Sequence, residues 1–329
     1  MQAILASLIS FLPRAIMQGT PLLYGATGEI ITEKSGHLNL GIPGIMYVGG
    51  ISGAAGAFLY EHSVDVMNPA LAILIPLSCA LVGSLLMGLI YSFLTVTLRA
   101  NQNVTGLALT TFGIGIGNFF GGTLAKLSGT GETSLSLPQT KILFKTSLPF
   151  AADLGWFGSI FLSHGFLVYL AVVIALIAAF VLGRTRVGLQ LRAVGENPAT
   201  ADAAGVNVNR YKYVATCIGS MIAGLGGLYY VVDYMGVWAN DGFGDRGWLA
   251  IALVIFAVWR PHVGILGSYL FGGLYILYTV INIGVAEQEL FKMLPYVVTI
   301  IVLVVTSIRE KRESQPPASL GLAYFREER

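Results

Sequence analysis

The chain is 329 residues long, 55% hydrophobic and 11% charged, with 19 basic and 17 acidic side chains and a net charge of +2. A soluble domain carries about a quarter charged residues, so this composition excludes an ordinary soluble protein. So small a net charge also leaves no basic surface for nucleic acid.

A helix needs about 20 residues to cross a hydrocarbon core of roughly 30 Å. Spans are predicted over residues 14–31, 38–60, 69–97, 104–125, 164–183, 213–232, 245–259, 263–283 and 292–308. The fold class is all-α, a polytopic transmembrane bundle of eight or nine spans, because 245–259 is short and reads as a tilted or broken helix. The opening "MQAILASLISFL" lacks the basic start and small-residue cleavage site of a signal peptide. It reads as mature chain, either leading into the first span or forming a separate helix.

Basic side chains beside the spans set orientation. Arg184, Arg186, Arg192, Arg210 and Lys212 follow the fifth span, and Arg309, Lys311 and Arg312 follow the last, which places both segments in the cytoplasm. Arg99, Arg260 and the "TEKSGH" turn then fall inside, and Asp233, Asp241, Asp245, Glu287 and Glu289 outside. The 126–163 loop falls outside although it carries Lys126, Lys141 and Lys145, against the rule. The chain divides into a transmembrane domain, 1–308, with a cytoplasmic loop at 184–212, and a partly disordered cytoplasmic tail, 309–329. Glycines recur at helix-packing spacing, as in Gly49 with Gly53, Gly113 with Gly117, and Gly117 with Gly121.

No catalytic or metal site is predicted, and an enzyme is disfavoured. A phosphate-binding loop ending in Gly-Lys-Ser/Thr is missing, "GIGIG" at 113–117 lies in an apolar helix, and His37, His62, His164 and His262 are scattered. Cys79 and Cys217 sit in apolar runs as packing residues. Ionisable groups deep in the spans are scarce, Glu29 and Glu33 lying toward the cytosolic end of the first, so no internal ion-coupling site stands out.

One stretch is unlike the rest: "LRAVGENPATADAAGVNVNRYK", residues 191–212. Asn197 and Pro198 form an N-cap and first-turn pair, Ala199–Ala204 favour helix, and Gly205 can end it in the left-handed region. A helix of about two turns is too short to be stable without a dock. It either lies on the bilayer or its own protein, or seats in a separate ATPase as a coupling helix. In the second reading Arg192, Glu196, Asn197, Pro198, Asp202 and Gly205 meet the ATPase.

The stretch "GLQLRAVGENPATADAAGVNVNRYK" resembles the coupling loop of ABC-importer permeases that serve simple sugars, nucleosides and branched-chain amino acids. "GEIITEKSGHLNLGIPGIMYVGG" at 28–50 resembles that family's N-terminal signature, with Glu33, Gly36, Asn39, Leu40, Gly41 and Gly44 in place. "RANQNVTGLALTTFG" at 99–113 and "GDRGWLAIALVIFAVWRPHVGILGSYLFG" at 244–272 extend the likeness, which covers about 15–308. Arg99-Ala100-Asn101-Gln102 and the run Arg192 to Pro198 are most similar to the purine nucleoside branch, whereas Thr110-Thr111 and Ile42-Pro43 depart from it and keep riboflavin and monosaccharides open.

The resemblance implies a plasma (inner) membrane importer subunit paired with a second, homologous permease. It also implies two ATPase subunits that carry ATP and Mg, this chain binding no cofactor, and a lipoprotein or periplasmic protein that delivers substrate. A stand-alone facilitator is the rival. For the substrate pathway the polar residues of the fourth span are candidates: Asn103 and Thr110, seven apart and so on one face, with Phe112 as a ring-stacking surface and Asn39 at the start of the second span. The alternative for each polar group is an interhelical hydrogen bond, worth on the order of 1 kcal/mol.

Overall fold

The computed structural model describes residues 2–127, 134–146, 152–279, 285–309 and 315–325. Lys311 and Arg312 lie outside the described residues, as do parts of the predicted 126–163 loop and the end of the predicted span 263–283.

The leading residues do not form a separate helix: α1 runs from Gln2 to Glu33 with Pro13 and Pro21 inside it. A sharp turn leads to α2 (Ile42–Ser63). Asn68 caps α3 (Pro69–Ser92), which continues in π-type turns through Thr97. Then follow α4 (Gln102–Leu127), α5 (Pro138–Phe144), α6 (Gly155–Phe161) and α7 (Phe166–Arg184). Two short helices, α8 (Arg186–Glu196) and α9 (Pro198–Ala203), lead into α10 (Val208–Leu228), extended by π-type turns to Met235. The remainder is α11 (Arg246–Phe256), α12 (Pro261–Ile276), α13 (Val285–Lys292) and α14 (Leu294–Arg309). Among the described residues, six helical stretches are long and apolar enough to cross a membrane, including Ile42–Ser63, Pro69–Thr97 and Val208–Met235. The 11 residues of α11 rise only about 16 Å, so this segment is the short element its sequence foretold.

Glycines let α1, α2 and α10 form the centre. A Cβ on Gly227 would lie 1.8 Å from the Met46 carbonyl oxygen, and one on Gly49 would lie 2.5 Å from the Gly224 Cα. Gly113 meets Gly44 in the same way at 2.6 Å, which carries α4 against α2. These approaches have the backbone-to-backbone character expected where lipid supplies little drive for association.

The bundle sorts its loops by end as the basic residues do. One end gathers the 34–41 turn, the start of α4, and α8 with α9. The other holds α5 and a two-stranded ribbon, Ser134–Ser136 antiparallel to Val237–Ala239, which the sequence reading lacked. The exceptional Lys141 has a physical reason to be there, since its ammonium donates to the Met235 carbonyl at 2.8 Å, where the helical stretch ends. Residues 315–325, expected to be loose, lie against the end that carries the 34–41 turn, α8 and α9.

Candidate functional site: the coupling loop and the signature turn

Three side-chain caps build residues 184–212, the predicted coupling loop. The Thr185 hydroxyl accepts from Gly188 N–H at 3.1 Å and starts α8, Asn197 Oδ1 accepts from Thr200 N–H at 3.0 Å and starts α9, and Asn207 Oδ1 accepts from Arg210 N–H at 3.0 Å and starts α10. Pro198 occupies the first turn of α9, and Gly205 closes it with φ +83°. The loop therefore holds two helices where the sequence reading gave one. The missed signal was Thr185, three residues before Gly188. Val194, Ala201 and Val208 are buried together, with Val206, Tyr211 and Tyr324 packed on them. Arg192, Glu196, Asn197 and Gly205 remain exposed, and Pro198 and Asp202 are half-buried.

The "EKSGHLNLG" turn is braced from four helices and from the turn between α11 and α12. Glu29 of α1, 0% exposed, accepts the Asn39 N–H at 2.9 Å, and Asn39 Oδ1 accepts the Gly41 N–H at 2.9 Å. From α4, Gln102 Oε1 accepts the Leu38 N–H at 2.8 Å and the Thr110 hydroxyl donates to the Leu40 carbonyl at 2.8 Å. The Tyr91 hydroxyl of α3 donates to the Leu38 carbonyl, and His37 Nδ1 lies 3.2 Å from the Thr216 hydroxyl of α10. Burial, reinforced by Lys212, holds the His37 imidazole well below its ordinary pKa, so it is neutral. Glu33, 3% exposed, accepts the Trp259 indole N–H. Trp259 reaches it from a turn in which Val258 and Trp259 have φ of 51° and 54°, a strained conformation for such residues. Thus Glu29 and Glu33, read from sequence as the nearest candidates for ion coupling, are the internal braces of this turn.

The pathway candidates separate into two kinds. Asn103 is exposed and Phe112 is 53% exposed, whereas Thr110 and Asn39 are buried and bonded within the chain. Asn103 and Thr110, seven apart on α4, differ in burial: Gly106 lies against the 38–41 turn and Thr110 and Gly113 against Gly44 of α2, whereas Asn103 in the first turn of α4 is exposed. Val104, Leu107, Thr111, Phe112, Phe119 and Phe120 leave a long face of α4 exposed. Toward the outer end the Tyr47 hydroxyl donates to Asn118 Oδ1 and accepts from Asp241 N–H at 2.8 Å, and Asn118 Nδ2 donates to Asp241 Oδ1 at 3.1 Å. Sequence reasoning did not find this network, because its three members lie far apart in the chain. Among the described residues no three His, Cys, Asp or Glu side chains converge as metal ligands.

The described fold is an all-helical bundle with several stretches long and apolar enough to cross a membrane, joined by a capped pair of short helices. The chain belongs to the family described as branched-chain amino acid transport system / permease component, whose sequence pattern matches residues 12–303. It is 31% identical over 297 residues to NupC of Lactococcus lactis subsp. cremoris, a nucleoside ABC transporter permease protein, covering 88% of this chain and 89% of that one. It is 29% identical over 300 residues to NupQ of Bacillus subtilis, a guanosine ABC transporter permease protein, covering 88% and 90%. To TsgC13 of Haloferax volcanii, named for a glucose ABC transporter permease, it is 33% identical over 257 residues, covering 78% and 73%. The protein is a multi-pass membrane permease subunit of an ABC importer, not an enzyme, and its family implies ATPase and substrate-binding partners.

Proposed function

We propose that this chain is one half of a nucleoside importer, paired with a second, homologous permease. Two ATPase subunits would bind ATP and Mg, and an external lipoprotein or periplasmic protein would deliver the substrate. The observation that carries the reading is the likeness to the nucleoside permeases NupC and NupQ along 88% of the chain. The exposed face of α4 supports it: no ionisable residue stands between Gln102 and Lys126, so the face offers an amide, hydroxyls and rings to an uncharged solute. A zwitterionic amino acid would leave two charges unpaired there, at a cost of several kcal/mol each. In this reading Asn103 and Phe112 meet the passing solute, Phe112 by stacking, while Asn39 and Thr110 hold the turn on which α2 begins. The exposed residues Arg192, Glu196, Asn197 and Gly205, with Pro198 and Asp202, meet the ATPase.

The likeness to TsgC13 favours a monosaccharide as the second reading. Uptake of labelled guanosine, ribose, glucose and riboflavin, each measured separately in membrane vesicles carrying the whole complex with ATP, separates the two. Uptake of guanosine alone supports the first reading. Uptake of glucose or ribose alone replaces it with the second, and uptake of riboflavin alone replaces both.

A further inference from the structure

The C-terminal segment runs across the predicted coupling loop and is anchored there at several positions. Pro317 and Ser319 are buried. Ser319 donates its N–H to the Gly195 carbonyl at 3.0 Å and its hydroxyl to the same oxygen. Gly321 N–H reaches the Gly36 carbonyl at 3.2 Å, and the Gln102 amide donates to the Leu322 carbonyl at 3.3 Å. Tyr324 packs on the small core of Val194, Ala201 and Val208, and its hydroxyl donates to Asp202 of α9 at 2.8 Å. The Arg99 guanidinium lies 4.7 Å from the centre of the Phe325 ring. The segment thus joins four pieces that are distant in sequence: the end of α8, α9, the signature turn, and the start of α4.

Two glycines make the crossing possible. A Cβ on Gly195 would lie 2.3 Å from the Lys34 carbonyl oxygen, and one on Gly36, at φ +83°, would lie 2.7 Å from the Ser319 hydroxyl. Beside the crossing, Arg99, Asp202, Asn207, Asn209 and Tyr324 line a polar cleft of about 330 Å³. Phe325 remains exposed at its edge.

We propose that residues 315–325 are a working part of the coupling surface: they bind α9 to the signature turn and to α4, and they present Tyr324 and Phe325 beside α9 to the same ATPase subunit. The inference rests on the importer reading above. Without the strap, a push on α9 reaches α7 and α10 through the loop ends, and the signature turn only through the close approach of Gly195 to the Lys34 carbonyl. With it, the same push also reaches the turn that starts α2 and the helix whose exposed face offers Asn103 and Phe112. The occupant of the polar cleft is the ATPase, because the cleft shares Asp202 and Gly205 with the coupling loop and opens on the same side.

The test uses the whole complex in lipid nanodiscs and reads ATPase activity with substrate-loaded receptor divided by activity without it. Compared with the wild type are a chain ending at residue 314, Tyr324→Phe and Ser319→Ala. A fourth chain, Val206→Cys with Tyr324→Cys in a Cys79→Ala, Cys217→Ala background, is measured before and after bridging with a short bismaleimide, since both side chains pack on the same small core. The stimulation ratio is expected to fall at least fivefold in the shortened chain and about twofold to threefold in the two point variants, while the bridged chain stimulates as well as or better than the unbridged one. Wild-type ratios in Tyr324→Phe, Ser319→Ala and the shortened chain would overturn the proposal. So would bridging that abolishes stimulation, which would make the segment a plug that has to move aside. If the shortened chain does not assemble, the point variants and the bridge decide. A wild-type complex without any receptor stimulation refutes the importer reading instead, and is told apart by that result.

Discussion

Replacing Gly195 with alanine tests the idea that the coupling loop, the signature turn and the C-terminal strap form one unit. The added Cβ would stand 2.3 Å from the Lys34 carbonyl oxygen and 3.1 Å from the Gly36 N–H. Both obstacles are backbone, so neither can swing aside, and the end of α8 has to move about 1 Å to reach an ordinary contact distance. Overpacking of this kind costs about 1–3 kcal/mol. Because Ser319 donates both its N–H and its hydroxyl to the Gly195 carbonyl, the strain falls on the loop and strap and spares the membrane helices. Amide hydrogen exchange at 191–206 and 315–325 should therefore accelerate roughly 5- to 150-fold, while exchange in α2 and α10 stays as it was. Unchanged exchange in the loop would refute the three-way contact. Equal acceleration throughout the bundle would show that the unit is not separable from the core.

Further outcomes follow from the braces and from the exposed face of α4. Thr110→Val removes the hydroxyl bonded to the Leu40 carbonyl and should cost about 1 kcal/mol of stability in thermal unfolding, with KM for uptake unchanged. Phe112→Ala should do the reverse, leaving the melting temperature within error and raising KM. Trp259→Phe deprives buried Glu33 of its indole donor, for a loss of about 1–3 kcal/mol read as a lower melting temperature. His37 is held neutral with its pKa well below the ordinary 6.5, so only the unfolded chain binds this proton just below that value. Its contribution to stability is full above about pH 6.5 and declines as pH falls from there toward the depressed folded pKa. The melting temperature should drop between pH 7.5 and 5.5, and a His37→Gln variant should show a smaller drop than the wild type. Equal slopes would remove His37 from that account.

The spans were legible because an apolar run long enough to cross a bilayer has few other uses, and the glycine pairs because close helix packing in lipid requires small residues. The helix α9 was legible through Asn197, Pro198 and Gly205, whose side-chain chemistry marks the ends of a helix. The braces of the signature turn were not. Glu29 and Glu33 sit one turn apart near a span end, and nothing in that spacing tells of Trp259, which reaches Glu33 from far along the chain. The strap was missed for a different reason. Its anchors include Ser319 N–H, Gly321 N–H and the Leu322 carbonyl, and backbone groups carry no sequence signature, so proline and mixed charge read as disorder. Thr110 illustrates the limit of periodicity: its spacing from Asn103 was right, but only the packing of α4 on α2 decides that one is covered and the other open.

The most direct test of the central claim is guanosine uptake by the reconstituted complex with ATP present or absent on the cytoplasmic side, for the wild type and for a Glu196→Arg, Asp202→Arg pair in the coupling loop. The account predicts receptor-dependent uptake that requires ATP, and a paired variant in which ATP is still hydrolysed but uptake is lost. Uptake by this chain alone without ATP, or full uptake by the paired variant, would contradict it.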